Sequence, residues 1–231
     1  MQYGYSTRAD GSMRLAGLTG SGEGPVTPEN AKNRDRYFEK EGLQGKKIVS
    51  AQLVHGKEVA VVEKNSLDYI LGTDGLVTSD PDVVLTITAA DCYPVYFFDV
   101  KNQIVGLAHA GWRGVVKYVV TQMVRCLCEL GSEREELEVI IGPGICEKHF
   151  TVKPENVVPF EKMTGFNKVV RLVSEGAEVD LRLALKEELK KNGVSNILDQ
   201  GECTHCLSET YFSWRRDHPP ELETQVAFIT L

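Results

Sequence analysis

The sequence has little of what membrane, secreted or nucleic-acid-binding proteins need. No apolar run approaches the length of a membrane-spanning helix, and the first residues have no apolar segment typical of a signal peptide. The 26 Lys and Arg residues are outnumbered by 33 Asp and Glu, so the net charge is −7, which argues against a nucleic-acid-binding face. We therefore expect a cytoplasmic protein that binds neither membranes nor nucleic acid.

Cysteine is also scarce, with six among 231 residues. A chain of this length buries a core that needs no cross-links, so we expect mostly buried free thiols. Cys126 and Cys128 fall in an amphipathic helical stretch and are predicted to pack. Cys203 and Cys206 have the Cys-x-x-Cys spacing of redox and zinc motifs. Because no second such pair exists to complete a metal site, we expect no separate metal or redox role here, with Cys203 a buried thiol near a cleft and His205 on a loop.

The order of predicted elements indicates an α+β fold rather than a doubly wound parallel sheet. No linker or repeat is visible, so residues 1–231 are expected to form one domain. The glycine- and serine-rich segment 11–24 predicts a long loop, a candidate flap over a cleft. The predicted helices are 27–42, 114–130 and 179–191, and the predicted strands are 47–54, 59–63, 75–78, 83–88, 95–99, 104–108, 138–141 and 225–230.

Two histidines and one cysteine follow three of these strands. His55, Cys92 and His109 each come after an apolar run and before a Gly or Pro, which is typical of side chains presented to a cleft at strand ends. Two imidazoles and a thiolate are three of the four ligands of tetrahedral Zn²⁺, and an open fourth position is typical of catalytic sites, where bound water becomes acidic. On the residues alone, a buried thiol and hydrogen-bonded core histidines remain open alternatives.

The segments around these residues resemble the signatures of the YfiH family. The matching segments are Gln52-x-x-His55-Gly56, Ala90-Asp91-Cys92-x-Pro94-Val95 and His109-Ala-Gly-Trp-Arg-Gly114. The similarity extends along almost the whole chain, through Thr7-Arg8, Asn33-Arg34, Ile141-Gly-Pro-Gly144, Val179-Asp-Leu181, Cys203-Thr204 and Phe212-Ser-x-Arg-Arg216. Two segments depart from the family pattern: His218-Pro-Pro-Glu221 stands in place of a Thr-Gly-Arg stretch, and Leu15-Ala-Gly-Leu18 in place of Leu-Asn-Leu-Gly.

Members of this family have been called polyphenol oxidases (laccases), peptidoglycan editing factors and, more recently, zinc-dependent purine nucleoside phosphorylases. The resemblance implies a layered α/β/β sandwich of mixed sheets, related to the cysteine-hydrolase-like domain of cytotoxic necrotizing factors. It also implies that His55, Cys92 and His109 hold the zinc at the catalytic centre. The implied substrates are phosphate with adenosine, inosine or methylthioadenosine, cleaved to free base and ribose 1-phosphate, with deamination of adenosine as a second activity.

Several polar residues near the signatures are candidates for binding substrate or phosphate. Arg113 lies near the predicted start of a helix, where free N–H groups favour anions and a planar guanidinium fits phosphate. Arg215 and Arg216 add positive charge to an acidic chain, and Gln52 completes the set.

Three neighbouring features have two interpretations each. Asp91 points away from Cys92 if the strand is straight, or accepts a hydrogen bond from a ligand imidazole if the strand bends. Trp112 either stacks on a base or fills the core. The segment Gly142-Pro-Gly144 is either a tight turn or a source of N–H groups for an anion.

Two other enzyme classes fit the same three side chains. In a metal-free hydrolase or amidase acting on peptidoglycan precursors, Cys92 would be the nucleophile and His109 the base. A His₂Cys set also resembles a blue-copper site, but a multicopper oxidase needs on the order of ten histidine ligands. The chain has five histidines, which disfavours a copper phenol oxidase. A non-enzymatic binding module would leave the clustering of His, Cys and Arg unexplained.

Overall fold

The computed structural model describes residues 1–15, 27–163 and 165–231. Within these residues the helices are α1 Pro28–Lys40, α2 Trp112–Val116, α3 Val119–Glu129, α4 Val158–Glu161, α5 Phe166–Val169, α6 Leu181–Lys191 and α7 Trp214–Asp217. The strands are β1 Gln2–Tyr5, β2 Lys47–Gln52, β3 Val59–Val61, β4 Tyr69–Leu71, β5 Gly75–Thr78, β6 Val83–Ala89, β7 Tyr93–Asp99, β8 Ile104–Ala110, β9 Glu138–Ile141, β10 Thr151–Val152, β11 Val170–Val173, β12 Gly176–Val179, β13 Asn196–Asp199 and β14 Gln225–Thr230.

Two mixed sheets pack face to face. One has the strand order β1-β14-β6-β2-β4 and the other the order β13-β9-β7-β8-β5-β3, while β10, β12 and β11 form a small third sheet. Leu85 and Ile87 of the first large sheet share a buried cluster with Tyr96 and Leu107 of the second. Both large sheets contain parallel and antiparallel pairs, so the predicted layered α+β fold is confirmed.

Helices cover the outer faces of both large sheets. The side chains of strand β7 point alternately to its two faces. Phe97 packs with Met123 of α3 and Leu185 of α6, while its neighbour Phe98 packs between the two sheets. On the other side of the molecule, residues of α1 pack on the first sheet, where Tyr37 lies against Phe228. Because β7 is buried on both faces, its sequence is a continuous apolar run rather than an alternating one.

Elements with clear local start and stop signals form where the sequence predicts them. Strands 75–78, 138–141 and 225–230 have the predicted bounds. Helix α1 begins after Thr27, whose side chain accepts the N–H of Asn30, with Pro28 as its first residue. Gly42 follows its end with φ 72°, a conformation that favours glycine.

Other bounds differ from the prediction for tertiary reasons. The predicted helix 114–130 is two helices, because Tyr118 adopts a left-handed conformation (φ 64°). The sequence has no Gly or Pro at this position that would have predicted the break. Pro94 does not end a strand but lies inside β7, opposite His109. Strand β2 stops at Gln52, two residues early. Helix α6 begins at Leu181 rather than at Val179, which belongs to β12.

The predicted loop 11–24 is described only at residues 11–15, which form neither helix nor strand. Its remainder, with the candidate flap and residues 16–18 of the Leu15–Leu18 segment, lies outside the described residues. In the described part of the chain, no helix combines the length and the apolarity needed to cross a membrane.

All six cysteines are free, but fewer are buried than expected. Cys203 is buried and Cys206 is exposed. Cys126 and Cys128 are half-buried and pack against the core from α3, as predicted.

A buried carboxyl group on α6 makes stability depend on pH. One oxygen of Glu188 accepts the backbone N–H (2.9 Å) and the hydroxyl (2.8 Å) of Thr121, while its other carboxyl oxygen is buried without a partner. Burial outweighs these bonds and raises the pKa of Glu188 from 4.5 to about 7. A raised pKa in the folded state means that Glu188 binds its proton more tightly in the folded than in the unfolded protein. Protonation of Glu188 therefore favours folding at low pH, and this contribution to stability is lost as pH rises from about 4.5 to about 7.

We expect Glu188→Gln to raise the free energy of unfolding by about 1–3 kcal/mol near pH 8, where it removes a buried charge. Near pH 5 the effect should be small, since glutamine mimics the protonated acid. Urea unfolding at both pH values measures the difference. Glu187→Gln is the matched control because Glu187 pairs with exposed Lys168 and should give no such pH dependence. Equal changes at the two pH values would contradict the assignment.

Candidate active site

The structure brings His55, Cys92 and His109 together, and we call these three residues the trio. Their ligand atoms all lie within 4.8 Å of one another. The imidazole rings of His55 and His109 are 5.0 Å apart and nearly perpendicular. His55 lies in a bend after β2, Cys92 in the turn between β6 and β7, and His109 in β8. Three side chains far apart in sequence therefore face one point.

Strand register explains how the last two members of the trio meet. In the antiparallel pair β7 and β8, Tyr93 lies opposite Ala110 and Pro94 opposite His109. Cys92 directly precedes β7, so it lies beside the end of β8, next to His109. The chain reaches this position through a sharp turn in which Asp91 has φ 84°.

Asp91 is bound to loops rather than to a ligand imidazole. Its carboxylate accepts the hydroxyl of Thr204 at 2.7 Å and the backbone N–H of Arg215 at 2.7 Å. Its carbonyl accepts the N–H of Ile145 at 2.9 Å. The strand does bend here, but Asp91 fixes the turn that carries Cys92 and does not contact the histidines of the trio.

Sequence reasoning missed Asp74, which supports the trio directly. This fully buried carboxylate lies 2.9 Å from Nδ1 of His109 and accepts the backbone N–H groups of Val54, His55 and Gly56. Asp74 therefore holds both histidine-bearing segments in place. Asp-Gly is a common turn sequence, so the local sequence does not mark Asp74 as a functional residue. Its position immediately before β5, the strand that pairs with β8, was the available signal.

The electrostatics of the trio favour a thiolate. Burial alone would raise the pKa of the Cys92 thiol, but the imidazoles of His109 and His55 lower it to about 6. Burial alone would lower the pKa of His109, but the Cys92 thiolate and Asp74 raise it. Burial also opposes ionisation of Asp74, yet the bonds from His109 and the backbone lower its pKa below 3.8. The thiolate is the form of cysteine that binds metals and attacks electrophiles.

Gly111 leaves room beside the trio that any other residue would fill. A Cβ atom at this position would lie 2.8 Å from Sγ of Cys92 and 3.0 Å from Cδ2 of His55. Such distances force the neighbouring side chains apart. Two imidazoles, a thiolate and a wall without a side chain therefore fit a metal ion held by three protein ligands.

Arg113 is exposed, and its guanidinium carbon lies 4.5 Å from the ring centre of Trp112. Trp112 is half-buried and packs on the core, with its ring 5.9 Å from that of Phe160, which favours a packing role. Helix α2 has five residues, so its dipole contributes little to anion binding. The charge of Arg113 itself is the feature that suits an anion.

Every N–H donor of the Arg216 guanidinium is hydrogen-bonded within the protein. Its five N–H donors meet five acceptors at 2.7–2.9 Å: the carbonyls of Thr204, His205 and Tyr211 and both carboxylate oxygens of Asp217. A phosphate would have to displace these bonds. Arg216 therefore braces the loops beside the trio.

Arg215 is half-buried and also holds a loop. Its Nη1 donates to the carbonyls of His149 at 3.2 Å and Thr151 at 3.0 Å, and its guanidinium lies over the ring of Phe150. Gln52, the last candidate, is the half-buried final residue of β2, three residues before His55.

The segment Gly142-Pro-Gly144 is a bend after β9 that pairs with two neighbouring segments. The N–H of Gly142 donates to the carbonyl of Pro94 at 2.9 Å, and that of Gly144 to the carbonyl of Glu202 at 3.3 Å. A Cβ at Gly144 would lie 2.5 Å from the ring of Tyr93, so a close approach requires glycine here. These N–H groups are therefore engaged within the protein.

The fold and the trio define a layered α+β protein with a His–Cys–His centre, and comparison with known proteins agrees. Residues 4–231 match the family described as multi-copper polyphenol oxidoreductase laccase. The crystal structure of YlmD from Geobacillus stearothermophilus superposes with a TM-score of 0.84 at 27% identity, over 99% of this chain and 90% of that one. The crystal structure of a YfiH protein of Bacillus licheniformis superposes with a TM-score of 0.83 at 27% identity, over 87% of this chain and 80% of that one. The chain belongs to the matched family.

Two relatives carry names of enzymes that act on purine nucleosides. Adenosine deaminase RL5, from an unknown prokaryotic organism, is 34% identical over 183 residues, which cover 73% of this chain and 70% of that protein. A purine nucleoside phosphorylase of Deinococcus radiodurans is 32% identical over 218 residues, covering 93% of this chain and 83% of the relative. The family resemblance inferred from the signatures is thereby confirmed.

Proposed function

We propose that this protein is a zinc-dependent purine nucleoside enzyme. It cleaves adenosine, inosine and methylthioadenosine with phosphate to the free base and the sugar 1-phosphate, and it deaminates adenosine. The observation that carries the proposal is the convergence of three metal-ligating atoms within 4.8 Å, in a chain whose relatives are named for these two reactions. We further propose that residues 1–231 act as one catalytic domain in the cytoplasm.

Each member of the site has a distinct task in this proposal. His55, Cys92 and His109 hold the metal, and Asp74 fixes the imidazole of His109 through Nδ1. A bound zinc ion would supply Lewis acidity and lower the pKa of a water molecule in its fourth position. Arg113 holds phosphate by its permanent charge. In phosphorolysis a phosphate oxygen forms a bond to the ribose C1′ as the bond from C1′ to the base breaks.

Zinc fits the donor set better than a copper cluster does. Thiolates and imidazoles are both zinc ligands, and catalytic zinc sites have three protein ligands with the fourth position open. A multicopper oxidase needs on the order of ten histidine ligands, and the whole chain has five histidines. The copper in the family's description therefore has no matching set of histidines in this chain.

A metal-free cysteine hydrolase is the second candidate, and one observation favours it. Asp74, His109 and Cys92 are arranged in the order of an acid, base and nucleophile, and the thiol has a lowered pKa. Such an enzyme would cleave amide bonds, with peptidoglycan precursors as substrates. Metal removal separates the two candidates, because the hydrolase would keep its activity in metal-stripped protein.

The proposed function is tested by incubating the protein with inosine and phosphate, and separately with adenosine without phosphate. Chromatography should show hypoxanthine and ribose 1-phosphate in the first reaction and inosine in the second. Cleavage of a muropeptide precursor by protein that releases no base would replace this proposal with the hydrolase.

Arg113→Ala should raise the KM for phosphate on the order of ten- to a hundredfold, the value of a lost charge-assisted hydrogen bond of about 1.5–3 kcal/mol. Deamination of adenosine needs no phosphate and should change much less. Steady-state kinetics of both reactions give the comparison. Arg125→Ala is the matched control, since Arg125 is an exposed arginine of α3 that pairs with Glu129. Equal losses in both reactions with a lowered melting temperature would instead assign Arg113 a structural role.

A further inference from the structure

A second group of metal-ligating side chains lies outside the trio. Cys146, His149, Cys203 and Cys206 place one ligand atom each within 4.8 Å of the others, and we call them the second cluster. Nδ1 of His149 lies 3.3 Å from Sγ of Cys146 and 3.5 Å from Sγ of Cys206. Three thiols thus surround one imidazole nitrogen.

Two tight turns present these side chains in pairs. In the first turn, the N–H groups of His149 and Phe150 both donate to the carbonyl of Cys146 at 3.0 Å. In the second turn, the N–H of Leu207 donates to the carbonyl of Cys203 at 3.0 Å. Each turn brings residues three apart in sequence to the same side, so the spacings Cys-x-x-His and Cys-x-x-Cys become adjacent ligands.

Backbone pairing fixes the two turns against each other. Gly144 forms a parallel bridge with Cys203, in which its N–H donates to the carbonyl of Glu202 and its carbonyl accepts from Thr204, both at 3.3 Å. The backbone N–H of Cys146 also donates to Sγ of Cys203 at 3.3 Å. A hydrogen bond of this kind stabilises a thiolate. The ligands are therefore assembled by the fold itself.

We propose that the second cluster is a structural zinc site, separate from the trio. Three cysteines and one histidine supply the four ligands of a closed structural zinc site, whereas the trio supplies three and leaves one position open. Soft thiolate ligands select zinc over magnesium, calcium or manganese. The two ligands that the Cys-x-x-Cys pair lacks in the sequence come from a Cys-x-x-His pair 57 residues earlier.

The position of the second cluster explains what its metal would do. The carbonyl of His149 accepts from Arg215, and the carbonyls of Thr204 and His205 accept from Arg216. Thr204 also donates to Asp91, which precedes Cys92. A metal joining the two turns would cross-link the loops that bind Arg215, Arg216 and Asp91 beside the trio. The proposal does not depend on which reaction the trio catalyses.

Metal counting tests the proposal in protein produced with added zinc and dialysed against metal-free buffer. Mass spectrometry should find two zinc ions per wild-type chain, one in Cys206→Ser, one in Cys92→Ala and none in the double variant. Cys206 is exposed, so its serine variant should fold. Cys128→Ser is the matched control and should keep both ions, because Cys128 belongs to neither group.

Cobalt substitution in Cys92→Ala gives a second readout that leaves all four ligands intact. Co²⁺ should produce the visible bands of a tetrahedral site and the ultraviolet band of cobalt–thiolate bonds, and adding Cys206→Ser should remove both. A chelator should lower the melting temperature of Cys92→Ala. One metal in the wild type that disappears in Cys92→Ala would overturn the proposal. So would copper in place of zinc, or a metal-free disulfide between Cys203 and Cys206 in protein purified without oxygen.

Discussion

Cys92→Ala is expected to lose the metal of the trio and both nucleoside activities. The substitution leaves only two imidazoles, too few to hold a catalytic zinc ion. Activity should fall at least about a thousandfold, as when one member of a catalytic set is removed. Mass spectrometry should find one metal ion fewer than in the wild type, and chromatography should find almost no release of hypoxanthine from inosine.

The control for this result is Cys128→Ala, which changes a half-buried cysteine of α3 that packs on the core. It should keep the metal content and the activity of the wild type. Unchanged metal content in Cys92→Ala would contradict the role of the thiolate as a ligand. Full activity in wild-type protein stripped of metal would favour the cysteine hydrolase instead.

Asp74→Asn is expected to weaken both the fold and the metal site. The carboxylate accepts three backbone N–H groups and faces the imidazole of His109, whereas one side of an asparagine amide can only donate. Buried donors would then face a donor, which costs about 2–5 kcal/mol of unfolding free energy. Loss of the carboxylate behind a ligand histidine should also lower metal affinity about 10- to 100-fold. Urea unfolding and competition with a chelator measure the two effects.

Asp68→Asn is the matched control, since Asp68 is an exposed carboxylate that pairs with Lys47. Its effect on unfolding should stay within about 0.5 kcal/mol. If Asp74→Asn left metal affinity unchanged while destabilising the fold, Asp74 would be a structural residue only. A variant with wild-type stability and affinity would refute both parts of the prediction.

Elements governed by local chemistry were predictable from the sequence. Strands 138–141 and 225–230 form as predicted, and α1 has its cap at Thr27. The predicted bounds of strands and helices were wrong where contacts between distant residues set the backbone conformation. Strand β2 ends early because the next residues turn to donate their N–H groups to Asp74, and a left-handed Tyr118 interrupts a predicted helix.

The sequence by itself determined the α+β class through the order of its predicted strands and helices. It also determined the family and the three residues of the trio, because the signatures keep rare residue types next to one another. Only the tertiary structure decided which side chain supports the trio and which side chains form the second cluster. Asp74 meets His109 across paired strands, and Cys146 meets Cys203 across two loops 57 residues apart. Such pairs leave no periodicity or spacing in the sequence, since strand register and loop pairing place them together only when the whole chain has folded.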